Sequence, residues 1–172
     1  KASGKNIGLV LAGNIPLVGL HDVLSVIISG NVACVKYSSQ DSILMKAVIN
    51  ALINIDAGFK ELIQEVERLN DVDAVIATGS DNSARYFKHY FAGKPHIIRQ
   101  NRVSVGIVNG SESTEDFEAP GEDIFTYFGL GCRNVSKVYV PKDFKLPTLI
   151  SAMDKFSSAL DHHKYRNNYD YN

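Results

Sequence analysis

Apolar residues in this chain fall into short bounded runs that alternate with stretches of helical spacing. Ile7-Gly8-Leu9-Val10-Leu11-Ala12 reads as a strand buried on both faces. It runs into Gly13-Asn14-Ile15-Pro16, an extended turn in which Pro16 is suited to the first position of a helix. Leu17, Leu20, Leu24, Ile27 and Ile28 then recur at helical spacing until Gly30-Asn31. Val32-Ala33-Cys34-Val35-Lys36 follows as a second buried strand with a lysine at its carboxyl end. A strand, a helix and a strand this close together form a βαβ unit, whose right-handed crossover makes the strands parallel.

The same alternation continues. Ser38-Ser39-Gln40-Asp41 is placed to cap a helix carrying Ile43, Leu44, Ala47, Val48, Ala51 and Leu52 on one side. The segment Phe59 to Val66 fits either a strand or the end of a short helix. Asp73-Ala74-Val75-Ile76-Ala77 is a third strand leading into Thr78-Gly79-Ser80, and Ser83 to Phe91 reads as a helix closed by Gly93. His96 to Ile98 and Val103 to Val108 are two more apolar runs. Asn109 to Ser113 has the composition of a linker. Beyond it Thr114 caps an acidic helical stretch that Pro120 should divide, and the second piece brings Ile124, Phe125 and Phe128 onto one face and delivers Cys132. Ser136 to Val140 is a strand, and Pro147 to Leu160 a final helix. The fold class expected is α/β, with a mostly parallel sheet flanked by helices, followed by the start of a second α/β domain.

Composition narrows the partners more than the fold. The 172 residues carry a net charge of −1, which offers nucleic acid no basic field. The run Leu17 to Ile28 is interrupted by His21, Asp22 and Ser25, so no membrane span is expected. The two cysteines, Cys34 and Cys132, make no disulfide framework, and the start of the chain lacks the form of a signal peptide, so a reducing, cytoplasmic setting is expected. A start at Lys1 and an end in the polar run His162 to Asn172 suggest a piece of something longer.

In open α/β sheets ligands bind outside the carboxyl ends of the strands. Those ends hold Gly13-Asn14, Lys36 to Ser39, Thr78-Gly79-Ser80 and the turn Arg99-Gln100-Asn101. A lysine, hydroxyls and glycine-exposed amides suit ribose and phosphate oxygens, although neither G-x-G-x-x-G nor G-x-x-x-x-G-K-[ST] is present. Cys132 lies between Gly131 and Arg133, a cation that favours a thiolate. Plainer readings exist for each. Asn14 suits a turn, Lys36 a solvated strand end and Ser80 a helix cap, while Cys34 among valines is a core residue. The pair His162-His163 lacks metal-ligand spacing and reads as exposed, and His21 is given no catalytic role.

The ordered set Asn14-Ile15-Pro16, Lys36-Tyr37-Ser38-Ser39, Thr78-Gly79-Ser80 and Gly131-Cys132 resembles the aldehyde dehydrogenase superfamily, and within it the acyl-CoA reductase branch typified by the fatty-acid reductase of bacterial bioluminescence. The resemblance covers nearly the whole chain. It implies a Rossmann-like dinucleotide-binding domain over residues 1–109, and the beginning of a catalytic domain over residues 114–172. It implies that Cys132 attacks the acyl carbonyl and that Asn14 donates to the oxyanion. Lys36, with Ser38 and Ser39, would meet the adenosine ribose or a 2′-phosphate, while Thr78, Gly79 and Ser80 would lie along the pyrophosphate and nicotinamide.

Two departures refine the expectation. NAD-preferring members place a glutamate where Ser39 stands, so NADPH is the expected cofactor, with NADH allowed. The water-activating glutamate of hydrolytic members has no counterpart in Ile98 to Arg102, which favours reduction over hydrolysis. The expected reaction is NAD(P)H-dependent reduction of an acyl-CoA, or another activated acyl substrate, to an aldehyde. The alternatives are an acyl-phosphate reductase of the same superfamily and a nucleotide-binding module without catalysis. A homo-oligomer, or a partner enzyme that supplies or activates the acyl group, is also expected.

Overall fold

A computed structural model describes residues 4–100 and 102–171, the side chains of Lys164 and Asn168 excepted. Lys1, Asn101 and Asn172, named above, lie outside the described residues. The chain divides into two compact units, Lys1–Asn101 and Arg102–Asn172.

The first unit is a five-stranded sheet in the order β3-β2-β1-β4-β5, with every pair parallel. Its strands are β1 (Asn6–Val10), β2 (Val32–Lys36), β3 (Ile63–Glu65), β4 (Ala74–Thr78) and β5 (His96–Arg99). The chain steps outward from β1 to β3, then returns to the other side of β1 for β4 and β5. Helices α1 (Leu20–Ile28), α2 (Ser42–Ile55), α3 (Phe59–Leu62) and α4 (Asp81–Tyr90) supply the crossovers. One core cluster joins Leu9 and Val35 to Val23, Val26, Met45 and Ile49 of the helices. A second cluster places Cys34, Val75 and Ala77 with Leu69, Val72 and Phe91. Full burial of each large apolar side chain stabilises the unit by about 1.5–3 kcal/mol, which is why these strands read as apolar runs without alternation.

Three local expectations change. Helix α1 starts at Leu20 rather than at Pro16, because Leu17 takes a left-handed conformation (φ 58°) and gives its N–H to the carboxylate of Asp41 at 2.7 Å. Asp41 stands at the N-cap of α2, but its side chain caps nothing in that helix. The ambiguous stretch after Gly58 holds both elements, the single turn α3 and then β3 paired to β2.

In the second unit β6 (Ser104–Ile107) pairs in parallel with β7 (Val135–Tyr139). That pairing moves the boundary to Asn101/Arg102, eight residues before the expected end of the first domain at Asn109. The run Asn109 to Ser113 is consequently a turn inside this unit. Glu112 accepts the N–H groups of Asn109 and Gly110, and Asp116 accepts the N–H and hydroxyl of Ser113. A 3-10 turn, Glu115–Phe117, precedes α5 (Glu118–Phe125). The division falls before Pro120, not at it, because a proline in the first helical turn has no N–H to forfeit. Helix α6 (Leu146–Met153) gives way to a 3-10 helix, Asp154–Asp161, and the polar tail forms α7 (His163–Tyr171). Phe117 is the largest fully buried side chain here, packed with Val108, Ala152 and Phe144.

Buried Asp22 of α1 pairs with Arg99 at the end of β5. Replacing Arg99 by methionine leaves that carboxylate buried without its cation, so a loss of about 2 kcal/mol is expected in urea unfolding. The hydrogen bonds to Glu112, first that from Asn109, and to Asp116, first that from Ser113, hold both carboxyls below the ordinary range. With folded values depressed, this stabilisation is complete above the unfolded values and is lost as pH falls through the folded ones. NMR titration of these two carboxyls should give lower midpoints in the folded than in the urea-unfolded chain.

Candidate active site

Parallel strands share one carboxyl edge, and the order of the sheet reverses direction at β1. The switch point therefore lies between the carboxyl ends of β1 and β4, where such sheets bind ligands. Val10 is in register with Lys36 on one side and with Ala77 on the other, and Thr78 is in register with Arg99. Asn14, Lys36, Ser38, Ser39, Thr78, Gly79 and Ser80 are thus brought to a single edge of the first unit. Asn14 and Lys36 are exposed there.

The loops at this edge are tied to one another. Leu11 N–H extends the β1–β2 pairing by donating to Lys36 O at 3.1 Å. A Cβ at Gly13 would overlap Ser38 Oγ, so glycine is what allows the Asn14 loop to lie against the Ser38 loop. Asp41 reaches back to Leu17 and closes the same contact from its other end. Gly79 N–H donates to Arg99 O at 3.1 Å, while the Arg99 side chain holds Asp22. Ser80 is the N-cap of α4, accepting Ser83 N–H at 3.2 Å. Thr78 Oγ1 is sealed from solvent and has no hydrogen-bond partner among the described residues.

A cavity of about 310 Å³ opens beside this edge. Val10 and Lys36 form its strand side, Arg68 and Leu69 its loop side, and Tyr86, Phe87 and Tyr90 its helical side. That Arg68, Tyr86 and Tyr90 line this cavity was not legible from sequence, because nothing local marks an arginine before β4 or tyrosines on a polar helix. A second cavity, of about 400 Å³, lies at the opposite edge against Ile7, Ala74 and His96, the starts of β1, β4 and β5.

Cys132 belongs to the second unit. After α5 the chain passes through Tyr127, Phe128 and Gly129, all left-handed (φ 52°, 57° and 71°), and then into the turn Gly131 to Asn134. Asn134 N–H donates to Gly131 O at 3.1 Å, and Gly131 N–H donates to Asn134 Oδ1 at 2.7 Å, which leaves Cys132 exposed within the turn. Phe128 stacks on His162 at 4.2 Å between centroids, and Phe125 on Phe156 at 5.3 Å. His162, expected to be merely exposed, is half-buried against Phe128. Cys34 is buried, and burial followed by the charge of Asp73 pushes its thiol up. No cluster of side chains suited to a metal ion occurs among the described residues, and no described helix is long and apolar enough to cross a membrane.

The sequence pattern of the family described as acyl-CoA reductase (LuxC) matches residues 2–165. Among curated proteins, the long-chain acyl-protein thioester reductase of Aliivibrio fischeri is 26% identical over 175 residues, covering 90% of this chain and 36% of that protein. The chain therefore spans about a third of the length of that relative. Among solved structures, a putative aldehyde dehydrogenase PutA from Anabaena variabilis superposes with a TM-score of 0.77 at 20% identity, covering 90% of this chain and 35% of that one. An indole-3-acetaldehyde dehydrogenase solved with NAD+ gives a TM-score of 0.74 at 22% identity, with 88% and 34% covered. Both likenesses establish the aldehyde dehydrogenase fold.

The two thiols should respond differently to alkylation. Iodoacetamide at pH 7 is expected to label Cys132 in the folded protein and Cys34 only after unfolding in urea, as mapped by peptide mass spectrometry.

Proposed function

The chain belongs to the acyl-CoA reductase (LuxC) family, and from that membership we propose that it carries the cofactor edge and the nucleophile of an enzyme reducing an acyl thioester to an aldehyde. The observation that carries this reading is an exposed cysteine held in a tight turn, Gly131 to Asn134, in a chain of this family. The acyl donor is a thioester, bound to coenzyme A as in the family's description or to a protein as in the relatives' names.

In this reading Cys132 Sγ attacks the acyl carbonyl as a thiolate, and the bond to the donor sulfur breaks. The departing thiolate takes up the proton that Cys132 gave, and the acyl group remains on Cys132 as a thioester. Asn14 keeps the part that the family resemblance implies for it, an amide that donates to an oxyanion. When bound, a reduced nicotinamide cofactor supplies the hydride that makes the aldehyde. Cys132 then leaves as a thiolate and is ready for the next acyl group.

The residues of the first unit suit such a cofactor. Thr78 ends β4 at the switch point, next to the N-terminus of α4, where phosphate oxygens are favoured. Gly79 and Ser80 continue that surface along the pyrophosphate. Lys36, Ser38 and Ser39 would hold the adenosine ribose. Lys36 and Arg68 put two cations on one cavity, with Tyr86 and Tyr90 as aromatic walls. Glu65 on the neighbouring strand is ion-paired with Lys46 at 2.5 Å. A 2′-phosphate is thus better matched than a free ribose diol, which favours NADPH over NADH.

Incubation with an acyl-CoA, read by intact mass, is expected to add one acyl group to the protein and none to the Cys132→Ala variant. In the same preparation Lys36→Ala should weaken NADPH about tenfold by fluorescence titration. An unaltered protein that takes up no acyl group from either a CoA or a protein thioester would overturn the reading, and labelling by an acyl phosphate alone would move it to the acyl-phosphate reductases.

A further inference from the structure

The turn that carries Cys132 is built by one side chain, and we infer that Asn134 is the positioning residue for the Cys132 thiol. This inference rests on the reading of Cys132 as nucleophile and extends it to what holds the sulfur in place. Asn134 Oδ1 accepts the N–H of Gly131 at 2.7 Å, while Nδ2 donates to the carbonyls of Asp123 at 2.7 Å and Thr126 at 2.9 Å. Both amide hydrogens and one oxygen lone pair are engaged, each with backbone. The pattern fixes the orientation of the amide, since a flipped group would set its oxygen against two carbonyls and its nitrogen against an N–H.

The bonds do separate things. Those to Asp123 and Thr126 are made to carbonyls at the carboxyl end of α5, where helical partners run out. The bond to Gly131, with the return bond from Asn134 N–H to Gly131 O, closes the turn around Cys132 and Arg133. Asn134 therefore ties the nucleophile turn to the helix end that precedes it. Between them run Tyr127 and Phe128, two left-handed residues with side chains, a conformation that costs about 1–2 kcal/mol each and persists only where the surroundings impose it. Phe128 on His162 anchors one end of this strained segment, and Asn134 the other. Gly131 is matched to the arrangement, because a Cβ there would stand 2.5 Å from Asn134 Oδ1.

No substitution reproduces all three bonds. Asn134→Asp keeps the acceptor for Gly131 but offers only oxygens to two carbonyls. Asn134→Ala removes everything, and Gly131→Ala drives the same contact apart from the other side.

The test is the pH profile of Cys132 alkylation by iodoacetamide, which needs no acyl substrate, alongside the rate of Cys132 acylation by acyl-CoA. Asn134→Ala is expected to change the alkylation rate at least threefold across the profile and to lower the maximal acylation rate at least tenfold. The half-saturating acyl-CoA concentration and the NADPH affinity should stay within twofold. If Asn134→Ala does not fold, as judged by a lost cooperative melt, Gly131→Ala supplies the same readouts. The double variant should be no worse than Asn134→Ala, because the added methyl then has no amide to strike. An unchanged alkylation profile in the folded variant overturns the inference, as does a change confined to half-saturation. Alkylation that responds to Asn134 in a protein that is never acylated upholds the positioning role and removes the acyl-reductase reading instead.

Discussion

Everything at the candidate cofactor edge depends on β1 being held between β2 and β4. Parallel pairing on both sides puts the carboxyl ends of the three strands level, with Val10 between Lys36 and Ala77. Because the order of the sheet reverses at β1, the loops after β1 and β4 diverge there, the Asn14 loop following one strand and Thr78 to Ser80 ending the other. Two buried carboxylates complete the edge. Asp41 fastens the Asn14 loop to the start of α2, and Asp22 fastens α1 to Arg99, whose backbone in turn holds Gly79.

The second unit solves a different problem. Cys132 lies exposed in its turn, and an exposed turn has little core to hold it. Here the turn is bound through hydrogen bonds from one asparagine to backbone, while rings on either side of the left-handed segment pack beneath it. The aromatic pairs involve Phe125 and Phe128, Phe156, His162 and Tyr165, drawn from segments far apart in the chain. Local strain is thus offset by non-local packing, and Cys132 is left solvent-exposed in the turn that follows the left-handed segment.

The two cysteines show how environment separates one chemical group into two behaviours. Cys34 lies in β2 among core side chains, where desolvation favours the neutral thiol and makes it a poor nucleophile. Cys132 has open access to solvent beside Arg133.

The strands, the parallel connections and the residues at their ends were legible from sequence, because buried parallel strands are apolar runs and the turns after them are marked by glycine, proline and hydroxyl residues. Cys34 as core and Ser80 as a helix cap followed from the same local chemistry, and the structure bears both out. The start of α1 was misread because Asp41 takes the N–H of Leu17, a partner 24 residues away. β6 is apolar enough to read as an extension of the first sheet, and only its pairing with β7 places it in the second compact unit. Arg68 on the same cavity as Lys36, Arg99 on Asp22 and His162 stacked on Phe128 carry no local signature, since each pairing joins segments that meet only after folding. Which residues can be strands, turns and a candidate nucleophile depends on neighbours along the chain, and so was open to reading from the chain alone. Which of them share an edge, and what holds Cys132 in its turn, emerged only on folding, because hydrogen bonds and packing are made by proximity in space.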